Sequence, residues 1–197
     1  MIKNSKKSNY SAVVIGASTG GMEAISIILS AMPPLFAAPI IIGQHVGPKS
    51  DNYIVKYFNG LCKIAVKEAD EKERVVPGNV YVAPPNYHLL VEKDGTLSLT
   101  VDEKVNYARP SIDILFETAA DSFKSSLIGV ILTGANRDGS LGLKRIKEYG
   151  GIAIVQEPKT ALADTMPKAA IDITNVDYIL SVENIAKKLV EMVGVLK

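Results

Sequence analysis

The chain has 197 residues, 47% hydrophobic and 22% charged, a balance that fits a globular domain and argues against a disordered chain. Its 22 Lys and Arg nearly cancel its 21 Asp and Glu, so no cationic surplus exists to drive binding to a phosphate backbone, and nucleic acid is not an expected partner. One cysteine, Cys62, excludes an internal disulfide, and two histidines, His45 and His88, are too few for a Cys/His zinc site, so a reducing compartment is expected.

Residues 1–10 begin with a basic, polar stretch that is expected to be a flexible tail, ahead of one domain over residues 11–197. The apolar part of that N-terminus, residues 12–15, is too short for the h-region of a signal peptide, which needs about 7 residues. The most apolar stretch, LFAAPIIIG at residues 35–43, is well short of the ~20 residues that span a bilayer, so membrane insertion is not expected.

In chain order, residues 12–15 make a short Val/Ile-rich run without polar alternation, the pattern of a strand buried on both faces. Met22, Ile25, Ile28, Leu29 and Met32 then recur at helical spacing until Pro33-Pro34 stops the helix. Residues 39–42 form a second buried strand. Residues 62–101 break the rhythm: runs at 80–82, 88–92 and 96–101, with Asp94-Gly95 as a hairpin signal, predict an inserted antiparallel β-ribbon. The mixed run KEADEKER at residues 67–74 is expected to be an exposed turn. Ile112, Leu115, Phe116, Ala119, Ala120 and Phe123 predict a second helix capped by Ser111, with Asp113 at its positive end. A buried strand over 127–132, a helix over 141–149 ended by Gly150-Gly151, a strand over 152–155 and a helix over about 182–193 complete the pattern. Alternating strands and helices imply an α/β fold, a doubly wound, mainly parallel sheet carrying the antiparallel ribbon.

In such sheets functional groups gather at the carboxyl ends of strands. The first strand runs into Gly16-Ala17-Ser18-Thr19-Gly20-Gly21 and a helix, which puts Ser18 at a strand-to-helix turn. Gly16 would permit the turn, free N–H groups at the helix start could hold an oxyanion, and the segment matches the G-x-S-x-G nucleophile elbow. A dinucleotide-binding loop is the rival, but it needs a glycine at position 18 and an acid after the next strand, which ends Gly43-Gln44-His45. A structural glycine turn with Ser18 as a helix cap is the other alternative. His45 lies at the same sheet edge and could take the serine proton, whereas His88 falls in the ribbon, facing solvent or a groove. Asp138, after the strand over 127–132, is the candidate carboxylate, with capping of the next helix as its plain alternative and Asp164 as a second candidate.

The blocks VVIGASTGGMEAI (13–25), IIIGQHV (40–46), VKEADEKERVVPGNVYVAPPNYHLLV (66–91), RPSIDILF (109–116), GVILTGANRDG (129–139) and EPKTALADTMPKAAI (157–171) resemble the catalytic domain of CheB-type chemotaxis receptor methylesterases. The resemblance runs from about residue 11 to the C-terminus and puts the family's serine, histidine and aspartate on Ser18, His45 and Asp138. It implies a cytoplasmic serine hydrolase acting in chemotaxis adaptation, which removes methyl groups from glutamate methyl esters on the cytoplasmic helices of methyl-accepting chemoreceptors. Deamidation of receptor glutamines is a possible second activity, and no metal or cofactor is implied. Two positions depart from the family's Gly-Met-Gly-x-Asp-Gly: Ala135 replaces Met and Asn136 replaces the second Gly. Thr19 and Ala135 are the expected oxyanion donors through their backbone N–H groups, and Asn136 is expected to keep a glycine-like turn at positive φ. Longer members carry an N-terminal receiver domain, so the resemblance leaves two readings, a free-standing enzyme or an excised domain, with a separate receiver domain as a candidate partner. A phosphate- or nucleotide-binding α/β module and a catalytically silent receptor-docking relative are the alternatives.

Overall fold

The computed structural model describes residues 10–47 and 53–196. The expected tail therefore lies, apart from Tyr10, outside the described residues.

The core is a seven-stranded sheet built from β1 (Ala12–Ala17), β2 (Ile40–Gln44), β3 (Ala65–Glu68), β4 (Asn79–Val82), β7 (Leu127–Ile131), β8 (Ile152–Gln156) and β9 (Tyr178–Leu180). Their order is β3-β4-β2-β1-β7-β8-β9, and every neighbouring pair is parallel. The second sheet is the hairpin of β5 (His88–Val91) and β6 (Leu97–Thr100), antiparallel with His88 opposite Thr100. The fold class expected from the sequence is present.

Side chains alternate across β1: Val13, Ile15 and Ala17 enter one core, Ala12 and Val14 the other. The first core is closed by α1 (Gly21–Ala31), α2 (Tyr53–Leu61) and α6 (Val182–Val193), through Ile25, Ile28, Phe58, Ile185 and Leu189 among others. The second is closed by α3 (Ile112–Phe123), α4 (Ser140–Glu148), α5 (Thr165–Ile173) and the hairpin, through Leu115, Phe116, Leu143, Met166 and Leu89. Burial on both faces explains why β1, β2 and β7 carry no polar alternation.

One expectation is corrected. Residues 79–82 do not belong to the antiparallel ribbon; they form β4, paired in parallel with β2 from Ile40↔Val80 to Ile42↔Val82. The crossover from β3 to β4 is an irregular loop instead of a helix, so the sequence lacks the signal that normally marks parallel pairing. That loop carries most of the charged run, and its backbone edges the hairpin: Lys72 N–H donates to the Leu97 carbonyl (2.8 Å) and Leu97 N–H to that of Glu73 (2.7 Å). The run is thus more than an exposed turn.

The strand order reverses at β1, with β2 on one side and β7 on the other. Such a switch point opens a crevice at the carboxyl ends of the strands. The loops after β1, β2 and β7 carry Ser18, His45 and Asp138.

Candidate active site

Ser18 follows the last residue of β1 and is held by its backbone. Its N–H donates to the Thr133 carbonyl (2.9 Å), and its carbonyl accepts from Gly21 N–H (2.9 Å) and from the Gln44 Nε2 amide (2.9 Å). Gly20 makes the turn at φ 81°, a left-handed conformation that suits glycine. Gly16, by contrast, lies within β1 and leaves room for Ile112, whose side chain an added Cβ would strike. The Ser18 hydroxyl makes no hydrogen bond to any described residue, and neither do the Thr19 and Ala135 N–H groups.

His45 N–H donates to the Ala17 carbonyl (3.0 Å), which sets the imidazole beside the Ser18 turn. Its Nε2 lies 2.7 Å from Asp138 Oδ2, with the histidine side chain 13% exposed and the aspartate fully buried. A carboxylate accepts only, so Nε2 carries the proton and Nδ1 keeps the lone pair.

Asp138 caps no helix of its own, because Gly139 is the N-cap of α4. Instead it sits at the N-terminus of α3. Oδ2 also accepts from Ile112 N–H (2.7 Å), and Oδ1 accepts from the Ser111 hydroxyl (3.0 Å), Asp113 N–H (3.1 Å) and the Asn106 amide (3.4 Å). Burial alone pushes this carboxyl upward, but the His45 hydrogen bond and the Ile112 and Asp113 N–H groups hold it below the usual carboxylate range. The positive end of the α3 dipole acts in the same direction. Asp138 is therefore an anion at neutral pH, the state that orients an imidazole.

The neighbouring Asp113 behaves oppositely. Burial pushes its carboxyl up to about 6, the Gly142 N–H opposes that rise, and the Asp138 charge adds to it. Asn106 bridges the pair, donating to Asp113 Oδ2 (3.2 Å) as well as to Asp138. A raised carboxyl means that the folded chain holds a proton the unfolded chain has already released. This contribution to stability is complete below the unfolded chain's carboxylate value of 3.8 and is lost as pH rises through about 6. Asp113→Asn removes that loss. Its melting temperature should gain on the parent by a few degrees between pH 5 and pH 8 in thermal melts. A difference that stays constant with pH removes Asp113 as the source.

Over residues 13–189 the chain matches the family model described as CheB methylesterase. The chain belongs to the CheB methylesterase family. A Leptospira interrogans relative is 54% identical over 184 residues, covering 93% of this chain and 95% of that protein. Burkholderia lata and Thermotoga maritima proteins, each named protein-glutamate methylesterase/protein-glutamine glutaminase, are 40% and 38% identical. They share 96% and 92% of this chain, which spans only 53% and 54% of their lengths. The crystal structure of the Thermotoga maritima CheB methylesterase catalytic domain superposes with a TM-score of 0.89 at 37% identity, covering 93% of this chain and 99% of that one.

In this CheB-family chain the structure joins His45 directly to Asp138 and sets Ser18 on the adjoining strand end. It leaves Asp164 outside the site, half-buried and paired with Lys168 at 2.6 Å. His88 does not face solvent or a groove. It is fully buried, its Nδ1 accepting from Ser111 N–H (3.1 Å) and its Nε2 bonded to the Glu103 carbonyl (3.0 Å), so it supports the loop that holds Ser111 against Asp138. Asn136 does not adopt positive φ. Its side chain closes the turn instead, Oδ1 accepting from Asp138 N–H (3.1 Å), and the left-handed residue is Gly139 at φ 91°.

Sequence reasoning did not single out Gln44, Asn106 or the Asp113–Asp138 pairing. Gln44 was detectable as a polar residue ending an apolar strand; the other two depend on chain crossings that no local pattern records. A pocket of about 280 Å³ opens beside His45, lined by Val46, Asn86, Asn106, Tyr107 and Asn136 among others. Tyr107, 98% exposed at φ 63°, stands on its rim. A larger pocket of about 460 Å³ borders Gly20 and Thr133 and includes none of Ser18, His45 and Asp138. Among the described residues no group of three His, Cys, Asp or Glu side chains converges as a metal site, and no helix is long and apolar enough to cross a membrane.

Proposed function

We propose that residues 11–197 form one catalytic unit that hydrolyses methyl esters of glutamate side chains on the cytoplasmic helices of methyl-accepting chemoreceptors, with Ser18, His45 and Asp138 as its triad. The observation that carries this reading is the 2.7 Å His45–Asp138 pair at the sheet edge beside Ser18, inside a family match over residues 13–189. The Ser18 oxygen attacks the ester carbonyl carbon and its proton passes to His45 Nδ1. The tetrahedral oxyanion takes the Thr19 and Ala135 N–H groups, which spend no hydrogen bond within the described protein. Its collapse expels the methoxy group, which leaves as methanol with the proton from His45. Water activated by the same nitrogen then releases glutamate and frees Ser18. An amide substrate would release ammonia by the same steps, which supports a glutaminase activity like that named in the relatives. We place this chemistry in the cytoplasm, where those receptor helices lie.

The direct test is methanol release from receptor membranes carrying labelled methyl esters. Release at the rate of a no-enzyme control removes the methylesterase reading. Ala135→Pro deletes one oxyanion N–H from an exposed turn and should cost about 10²–10³ in kcat while the protein melts like its parent. Near-normal release by the folded variant would take Ala135 out of the site.

A further inference from the structure

The base nitrogen of His45 is already engaged. Nε2 is committed to Asp138, so the lone pair that must take the Ser18 proton is on Nδ1. Facing Nδ1 at 3.4 Å is the side-chain amide nitrogen of Asn136, not the Ser18 hydroxyl. The orientation of that amide is fixed independently, because Oδ1 accepts from Asp138 N–H at 3.1 Å and only Nδ2, a donor, is left to face the imidazole.

We infer that Asn136 is a positioning residue that holds His45 Nδ1 in the free enzyme and must release it before Ser18 can be activated. The inference rests on the triad reading above. Two donors, the Asn136 amide and the Ser18 hydroxyl, compete for one lone pair. While the amide holds it, the imidazole is fixed with its proton toward Asp138, which preserves the productive tautomer, but Ser18 stays unactivated. Asn136 also ties the two ends of the site together, since the same side chain contacts His45 and the backbone of Asp138. Displacing it from Nδ1 need not break its Oδ1 bond if the side chain turns about that contact. In the resting site the serine is thus idle until something seated in the pocket shared by Asn136 and His45 displaces the amide.

The test uses a small fluorophosphonate, which needs no receptor. Ser18 oxygen attacks phosphorus, fluoride leaves, and the serine proton goes to His45 Nδ1. Asn136→Ser retains an oxygen that can accept the Asp138 N–H but is too short to reach the imidazole. Its Ser18 should be modified about fivefold faster than the parent's, the effect of freeing a group from one ordinary hydrogen bond. The isosteric Asn136→Asp should be modified more slowly than the parent, because a carboxylate draws a proton onto Nδ1. A merely structural asparagine would make both variants slower. With only two histidines in the chain, ¹⁵N spectra give a second readout: the bare Nδ1 resonance of His45 should move downfield in Asn136→Ser. Equal rates and an unmoved resonance overturn the inference while Ser18 labelling in the parent keeps the triad reading intact. A 10²-fold or larger fall in Asn136→Ser also overturns it, by making the amide an oxyanion donor. No Ser18 label in the parent defeats the triad reading itself.

Discussion

Ser18→Ala should fold like the parent and release methanol slower by about 10⁴-fold or more, the scale of nucleophile loss in a serine hydrolase. The structure explains why these two outcomes separate. Everything that fixes Ser18 in place runs through its backbone: the N–H to Thr133, and the carbonyl to Gly21 and Gln44. The hydroxyl bonds to no described residue, so deleting it strands no partner and opens no large cavity. Its melting temperature should match the parent's within about 2 °C. In intact-mass measurements a fluorophosphonate should add to the parent and not to the variant. Undiminished methanol release by a folded Ser18→Ala protein would place the nucleophile elsewhere.

Much of this site is legible in the sequence, for a physical reason. Ser18, His45 and Asp138 each follow an apolar run, and in a parallel sheet successive runs must deliver their ends to one edge. The helix over 112–123 was legible to the residue because Ser111 marks its start and an apolar stripe its face. Legibility stopped where a residue's role is set by what crosses it from far along the chain. Ile112 and Asp113 look like ordinary first-turn residues, yet their N–H groups hold a carboxylate 26 and 25 positions away. His88 looks like a ribbon residue of no fixed face, yet it lies beneath Ser111, 23 positions on. Asn136 looks like a glycine substitute; its amide instead reaches His45 across 91 positions. β4 was misassigned because its crossover has no helix, so short strands separated by loops mimicked a meander. In each case the residue's role is set by a partner that is not local in the sequence.

That same network determines what Asp138→Asn should do, and it differs from what a simple helix-cap exchange would give. The carboxylate accepts from five donors: His45, Ile112, Ser111, Asp113 and Asn106. An amide has one accepting oxygen and one donating nitrogen. If its oxygen keeps the Ser111 and Asp113 side, its NH₂ faces the Ile112 N–H and His45 Nε2. The imidazole must then move its proton to Nδ1, and the base nitrogen is lost. If the amide flips, its NH₂ meets the Asp113 N–H instead. Either way a buried N–H goes unmet, at a cost of about 1–3 kcal/mol, so the variant should fold but melt several degrees below the parent. The size of that deficit should depend on pH. Asp138 has its carboxyl held low in the folded state, so its contribution is complete above the unfolded value near 3.8 and is lost as pH falls through the folded value. The gap between variant and parent should therefore be widest near neutrality and should narrow in acid. Activity is the larger effect, with methanol release falling by up to ~10⁴-fold because the wrong tautomer is populated. A folded Asp138→Asn enzyme that still turns over at the parent's rate would reduce Asp138 to a cap for α3 and leave His45 without its orienting anion.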